Sequence, residues 1–437
     1  MISNDAPALL LLRSVRVFDP ASSLDLADAD VVVERGMITR IGRGAITPEL
    51  LQAEGARVID ARGAYVLPAF VDLHTHLREP GEEYKEDIAS GLRAAAAGGF
   101  AHICAMPNTK PVNDRRSITE AMIARAKEVS AVSLHPIGAI TVGQKGAELT
   151  EMADQREAGA VGVSDDGRCV MNAGIMRRAL EYARTFDLPV IQHAEDHTLT
   201  DGAQMHEGSV ATKLGLKGWP RCAEDVIVAR DVLLAEATGA RYHVAHVSTK
   251  GAVRIIREAK SRGIAVTAEV TPHHLVLTHE AVLGYDTACK VNPPLREEED
   301  IAALREALVD GTIDAIATDH APHSTLEKDC EFVEAAPGMM GLELVVPVLM
   351  DLVASGALPL SRLVTALTQA PSKIVSLDGP KLAPGRRAEL VLIDATGPFD
   401  AERLFTKSRN SPLLAKARHG SVLLTLAQGR VAFDRFA

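Results

Sequence analysis

Two alternating textures along the chain predict an α/β protein: a (β/α)8 TIM-type barrel with a small composite β-sandwich domain formed by both chain ends. Between about residues 67 and 380, short apolar runs alternate with helical stretches rich in Ala, Leu, Arg and Glu, the rhythm of a parallel sheet. On either side of that stretch the chain is strand-rich, with Gly-centred turns and no long helix. A third observation fixes where chemistry belongs, because His and Asp residues recur where the central apolar runs end. Barrels of this kind place catalytic side chains at strand C-termini.

In the first 66 residues, strands are predicted over 9–18, 31–33 and 38–41 around the Arg35-Gly36 turn, and over 57–59 before Arg62-Gly63. The texture returns over 388–393, 421–427 and 431–433, the last two separated by Gln428-Gly429-Arg430. Neither end holds enough strands for a stable sandwich alone, so residues 1–66 and 381–437 are predicted to pair into one domain. Within 67–380, strands are predicted over 69–73, 101–105, 133–137, 160–163, 189–192, 241–245, 265–270 and 313–317. Eight strand–helix units suit a closed barrel with insertions better than a six-stranded doubly wound sheet.

With 47 Lys plus Arg against 58 Asp plus Glu, the net charge is −11, and no basic tract is present. Such a chain lacks the footprint of a nucleic-acid or anionic-membrane binder, so the expected ligand is a small molecule. The five cysteines, Cys104, Cys169, Cys222, Cys289 and Cys330, are widely spaced and form no C-x-x-C pair. That usage suggests a reducing cytoplasm. No basic n-region precedes the short apolar run at 8–12, and no segment reaches the length of a spanning helix, so a cytoplasmic location is expected.

The predicted strand ends carry Asp72-Leu73-His74-Thr75-His76, Ser164-Asp165-Asp166, His193, His246 and Asp319-His320. In His74-x-His76 the period of two turns both imidazoles to one side of a strand. His74, His76, His193 and His246, with Asp166 and Asp319, form the candidate metal set. Imidazole and carboxylate ligands without thiolate suit Zn2+, with Mn2+ or Co2+ as substitutes. A metal-activated water would serve as nucleophile, and the chain has no nucleophile elbow, P-loop or dinucleotide fingerprint. A lone histidine is usually a satisfied core or surface residue, the reading kept for His102, His135, His206, His243, His279 and His419. His193 and His197 have the i, i+4 spacing of a helical zinc pair, but no Glu follows His193 directly and the pair follows a strand, so His197 is read as a non-ligand. His273-His274 lies just past strand seven and is a candidate lining pair.

The run Asp72-Leu-His-Thr-His-Leu-Arg-Glu-Pro-Gly81 resembles the signature of the amidohydrolase superfamily, and specifically of class I dihydroorotases. The resemblance continues in order through Met106-Pro-Asn-Thr109, Val163-Ser-Asp-Asp-Gly167, His193-Ala-Glu-Asp196, His246-Val-Ser-Thr249, Thr271-Pro-His-His-Leu275, Asn292-Pro-Pro-Leu-Arg296 and Thr318-Asp-His-Ala-Pro-His323. It implies two Zn2+ ions per chain, His74, His76 and Asp319 on one, His193 and His246 on the other, and Asp166 bridging. The resemblance implies Asp166 and not Asp165 as the bridging carboxylate, because its 27-residue offset from His193 (193 − 166) is similar to the family's. Hydantoinases, dihydropyrimidinases and allantoinases typically bridge with a carboxylated lysine at this strand, and Ser164-Asp165-Asp166 offers none.

The activity implied is the reversible cyclisation of N-carbamoyl-L-aspartate to (S)-dihydroorotate and water, a step of pyrimidine biosynthesis. A hydroxide held between the metals would attack the ring carbonyl, with Asp319 as general base and acid. Arg78, Asn108 and His323 resemble the family's carboxylate-binding trio, and Asn292 the residue that contacts the ring. Pro337-Gly338 occupies a position where family members often have Phe-Gly and whose backbone usually touches substrate; Pro337 offers a carbonyl but no N–H. Residues 324–340 are expected to cover the site as a lid. The resemblance also implies a homodimer and is compatible with a complex with aspartate transcarbamoylase.

Overall fold

The computed structural model describes residues 6–416 and 419–436. The chain opens with β1 (Leu9–Asp19), β2 (Leu24–Glu34), β3 (Met37–Gly42), β4 (Ala56–Asp60) and β5 (Tyr65–Pro68). Alternation sorts their side chains: Leu10 and Leu12 face one cluster with Val31, Val33 and Val66. Leu9 and Leu11 face another, with Val32, beneath the short helix Pro48–Leu51. β2 is longer than the apolar run 31–33 suggests, because its first half alternates exposed acids with half-buried leucines. β5 straddles the position where the sequence texture changes, and Ala69 alone separates it from the next strand.

The central stretch supplies β6 (Phe70–Thr75), β7 (Phe100–Ala105), β8 (Ser133–Pro136), β9 (Val163–Ser164) and β10 (Val190–Gln192). After the small pair β11 (Met205–His206) and β12 (Gly218–Trp219) come β13 (Tyr242–Val244), β14 (Val266–Val270) and β15 (Ala315–Ile316). Parallel ladders join β6 to β7 to β8, and β9 to β10 to β13 to β14 to β15. Parallel bridges Gly138 to Val163 and Thr75 to His320 close the ring. Leu73, Cys104, Ile137, Ile191, Ala245 and Ala317 fill its interior. Helices pack outside on apolar stripes; in Lys250–Ser261 the buried residues are Ala252, Val253, Ile256 and Ala259, one face at 3.6 residues per turn. Thr249 caps that helix by accepting from the Ala252 N–H, and Gly239 ends the preceding one at φ 67°. No helix among the described residues is long and apolar enough to cross a membrane.

The chain then returns in β16 (Leu390–Pro398), β17 (His419–Ala427) and β18 (Arg430–Asp434), which join the first five strands. The sheet order is β18-β17-β16-β5-β1-β2-β3, with β4 also on β1. β16 shows why this unit and the barrel cohere. Its Leu390 and Leu392 enter the sandwich core, while Val391 and Ile393 pack into the cluster shared with barrel helices. The sheet folds back on itself, so its distant members meet: Arg57 of β4 pairs with Asp434 of β18. The β2–β3 turn at Gly36 also touches the β17–β18 turn at Gly429. Both glycines have φ above 70°, and a Cβ on either would lie 2.6 Å from the other's carbonyl oxygen.

This contact separates two costs of a side chain. Gly44→Ala, at φ 64° with open space around it, should cost only the left-handed backbone penalty of about 1–2 kcal/mol. Gly429→Ala should cost about 1–3 kcal/mol more through overpacking, seen as a lower urea midpoint at unchanged slope. Equal midpoints for the two variants would show that the turn–turn contact yields freely.

Candidate metal centre and substrate pocket

Six buried side chains from five strand ends converge at the C-terminal mouth of the barrel. His74 lies in β6 and His76 just beyond it; Asp166, His193, His246 and Asp319 follow β9, β10, β13 and β15. The two rings of β6 share one side, their centroids 5.3 Å apart, as the period of two predicts. Asp166 sits at the centre. Its Oδ1 lies 3.2 Å from His74 Nε2, 3.6 Å from His246 Nε2 and 3.9 Å from His193 Nδ1, while its Oδ2 faces His76 Nε2 at 3.6 Å. Asp319 Oδ1 lies 3.1 Å from His76 Nε2 and 3.6 Å from His74 Nε2. Asp165 faces away, accepting from the N–H groups of Ile140 and Thr141. Burial pushes the Asp166 and Asp319 carboxyls up, but the neighbouring His74 and His76 outweigh it and hold both below the usual carboxylate range.

The residues present fit a bound metal ion. His74, His76 and Asp319 can each turn one ligand atom to a common point, as can His74, Asp166 and His246. His74 Nε2 and Asp166 Oδ1 are buried without a hydrogen-bond partner, a state that costs stability unless a cation lies between them. His193 Nδ1 and His246 Nε2 are only 2.9 Å apart. Two imidazole lone pairs tolerate that distance only around a proton or a metal.

The second ring nitrogen of three histidines is tied down. His74 Nδ1 lies 2.8 Å from Glu269 Oε1, His76 Nδ1 2.9 Å from Asn108 Oδ1, and His193 Nε2 2.9 Å from Glu195 Oε2. Each partner fixes a tautomer that aims the free nitrogen at the centre. Glu269 is fully buried; burial raises its carboxyl, but His243 and His74 hold it down to about 2. Sequence reading missed Glu269, though an acid within the buried strand β14 was the available signal.

A cavity of about 240 Å3 opens above this cluster and is lined by His76, Arg78, Asn108, Asp166, His193, His246, Asn292, Asp319, His323, Pro337 and Gly338, with Gly167 and Ala321. Every residue expected to bind substrate borders it. Arg78 donates from Nε to the Pro322 carbonyl at 3.2 Å, and its guanidinium lies 3.4 Å from His323 Nε2. Burial, reinforced by the Arg78 charge, lowers His323 to about 3, so its ring is neutral at physiological pH. The Pro337 carbonyl accepts from His323 Nε2 at 2.9 Å, and Gly338 has no room for a side chain, since a Cβ would lie 2.8 Å from the same nitrogen. Arg78, His246 and Asp319, all bordering this cavity, have positive φ of 62°, 31° and 45°, a strained backbone conformation for residues with side chains.

Other expectations find different places. His274 spans from the Thr271 hydroxyl to the Pro293 carbonyl and so braces the loop that carries Asn292. The segment 324–340 holds the helix Thr325–Lys328 and is tied at Gly338 to the Lys290 carbonyl. His206, His279 and Glu297 form another cluster of ligand type. There Arg296 donates to His206 Nδ1 at 3.2 Å, which puts the ring proton on Nε2 and leaves no lone pair for a cation.

A parallel barrel with imidazoles and carboxylates gathered around one carboxylate at its mouth, and a β-sandwich made from both chain ends, defines a metal-dependent hydrolase of the amidohydrolase type. Solved structures share this fold: the L-hydantoinase (dihydropyrimidinase) of Arthrobacter aurescens aligns with TM-score 0.83 at 24% identity, covering 98% of this chain and 96% of that one. The dihydropyrimidinase of Brevibacillus agri aligns with TM-score 0.79 at 24% identity, covering 98% and 95%. The family model for dihydro-orotase-like proteins matches residues 63–252. Curated relatives are far nearer in sequence. The dihydroorotase of Pelobacter propionicus is 51% identical over 98% of this chain and all of its own length, and that of Geobacter metallireducens is 50% identical with the same coverage. The chain belongs to the dihydroorotase family and is a cyclic amidohydrolase.

Glu269→Gln keeps an acceptor for His74 but removes the buried charge behind it. Metal affinity, measured by competition with a chromogenic chelator, should fall about 10- to 100-fold. Wild-type affinity in this variant would reduce Glu269 to a packing role.

Proposed function

We propose that the chain interconverts (S)-dihydroorotate and N-carbamoyl-L-aspartate, the ring-closing step of pyrimidine synthesis, at the pocket above Asp166. The observation that carries this reading is that one cavity of about 240 Å3 is lined both by His76, Asp166, His193, His246 and Asp319 of the candidate metal set and by Arg78, Asn108 and His323. A planar carboxylate beside a hydrolysable cyclic amide needs both sets within one small molecule's length. The absence of lysine from Ser164-Asp165-Asp166 supports dihydroorotate over the hydantoin-type rings.

Two divalent cations, with Zn2+ preferred by the ligand set, would be held by His74, His76 and Asp319 and by His193 and His246, with Asp166 between. When bound they supply Lewis acidity and lower the pKa of a water toward about 7. Arg78, Asn108 and His323 fix the substrate carboxylate; Asn292 and the backbone of Pro337 and Gly338 border the ring. That positioning sets the scissile carbonyl against the water and Asp319. As the C–O bond forms and the ring C–N bond breaks, Asp319 takes the proton from the water and returns it to the departing nitrogen. In ring closure the same carboxylate moves the proton the other way. The expected homodimer and cytoplasmic setting remain part of this proposal.

Protein stripped of metal by chelation should be inactive, and Zn2+ should restore hydrolysis of dihydroorotate but not of hydantoin, dihydrouracil or allantoin. Opening of another ring in preference would overturn the substrate assignment. In Asp319→Asn, kcat should drop by at least about 100-fold. Arg78→Ala should raise KM by about 10- to 100-fold through loss of a charge-assisted contact. Near-normal kcat in Asp319→Asn would remove its proton-transfer role.

A further inference from the structure

We infer that His197 and Glu195 form a positioning relay that ties the loop of Asp166 to the ring of His193, and so sets affinity at the second metal position. The inference rests on the proposed function in taking His193 and Asp166 as ligands of a second metal.

His193 Nε2 lies 2.9 Å from Glu195 Oε2, so this nitrogen donates its proton and Nδ1 carries the lone pair toward Asp166 and His246. His193 therefore works through Nδ1, whereas His74, His76 and His246 turn Nε2 to the centre. A ring used through Nδ1 is held close to its own backbone. Its aim then depends on what grips the far nitrogen, here Glu195.

Glu195 is itself held. Its Oε1 accepts from the Thr200 hydroxyl and faces His197 Nδ1 at 3.2 Å. At its other end His197 Nε2 accepts the backbone N–H of Cys169 at 3.0 Å. That bond makes Nε2 the lone-pair nitrogen and puts the ring proton on Nδ1, pointed at Glu195. The tautomers are thus fixed along the whole path from Cys169 through His197 and Glu195 to His193. Cys169 follows Asp166 by three residues in the loop after β9, and His193 follows β10. Two separate βα loops, each carrying one ligand of the same metal, are held in register by one imidazole and one carboxylate. Asp196 fixes the intervening backbone by capping the short helix His197–Thr200.

His197 is about two-fifths exposed at its side chain, so truncation leaves the core intact. Apo protein would be titrated with Zn2+ against a chromogenic chelator to resolve two binding steps in wild type, His197→Ala, His197→Gln and Glu195→Gln. His197→Ala and Glu195→Gln should weaken one step by about 10- to 100-fold and the other by less. His197→Gln, whose amide can accept from Cys169 and donate to Glu195, should restore near wild-type affinity. If His197→Ala keeps both wild-type affinities, or if His197→Gln fails as His197→Ala does, the relay is overturned while the proposed function stands. Wild type that binds no Zn2+ would overturn both.

Discussion

Everything at the mouth of this barrel depends on burying the Asp166 carboxylate among four imidazoles. A carboxylate taken out of water at full charge is unaffordable alone, and attraction to neighbours compensates only if their geometry is tight. Asp319, Glu269 and Glu195 add further buried or nearly buried negative charge around the same rings. Imidazoles cannot balance this while they also present lone pairs. A metal cation between Asp166 and the histidines would satisfy both demands together and would partner the otherwise unsatisfied His74 Nε2 and Asp166 Oδ1.

The fold holds this arrangement by anchoring its first strand twice. β5 pairs with β1 and β16 in the composite sheet, and after Ala69 the chain becomes β6, which carries His74 toward the centre. Ala69 donates to the Glu389 carbonyl and Phe70 to the Gly99 carbonyl, so the register of β6 is set from both the sandwich and the barrel. A one-residue slip would turn His74 and His76 away together. The sandwich contributes to the site without touching it, and the meeting of Gly36 with Gly429 closes that sandwich.

Much of this was legible in the chain. Alternating textures located the eight strands, and the period of two in His74-x-His76 predicted a shared direction that the rings adopt. Edges were less legible: β9 is Val163–Ser164 where the run 160–163 suggested an earlier strand, and β15 is Ala315–Ile316 within 313–317. Apolar residues continue past the last ladder bond, so hydrophobicity overstates strand length. Contacts between distant loops were out of reach. No spacing rule links Arg78 to His323 across 245 residues, and only the family resemblance grouped them; nothing in the sequence reading joined His74 to Glu269 across 195. His197 was set aside as a ligand because it follows a strand, and that reasoning could not show the hydrogen bond it accepts from Cys169 or its approach to Glu195.

Asn108 shows why the metal set and the substrate subsite are one construction. Its Oδ1 receives the proton of His76 Nδ1 at 2.9 Å, which fixes the amide's orientation. Its Nδ2 must then point the other way, toward Asp166 Oδ2 at 3.5 Å and the cavity. A side-chain amide suits this position, since it presents an acceptor to the histidine and two donors to a substrate anion from the same plane. A carboxylate there would repel the substrate, and a hydroxyl on a short side chain could not span both. On the proposed reading, the residue that orients His76 would also offer its N–H groups to the substrate carboxylate, so one hydrogen-bonded side chain would locate the scissile carbonyl relative to His76 and Asp319.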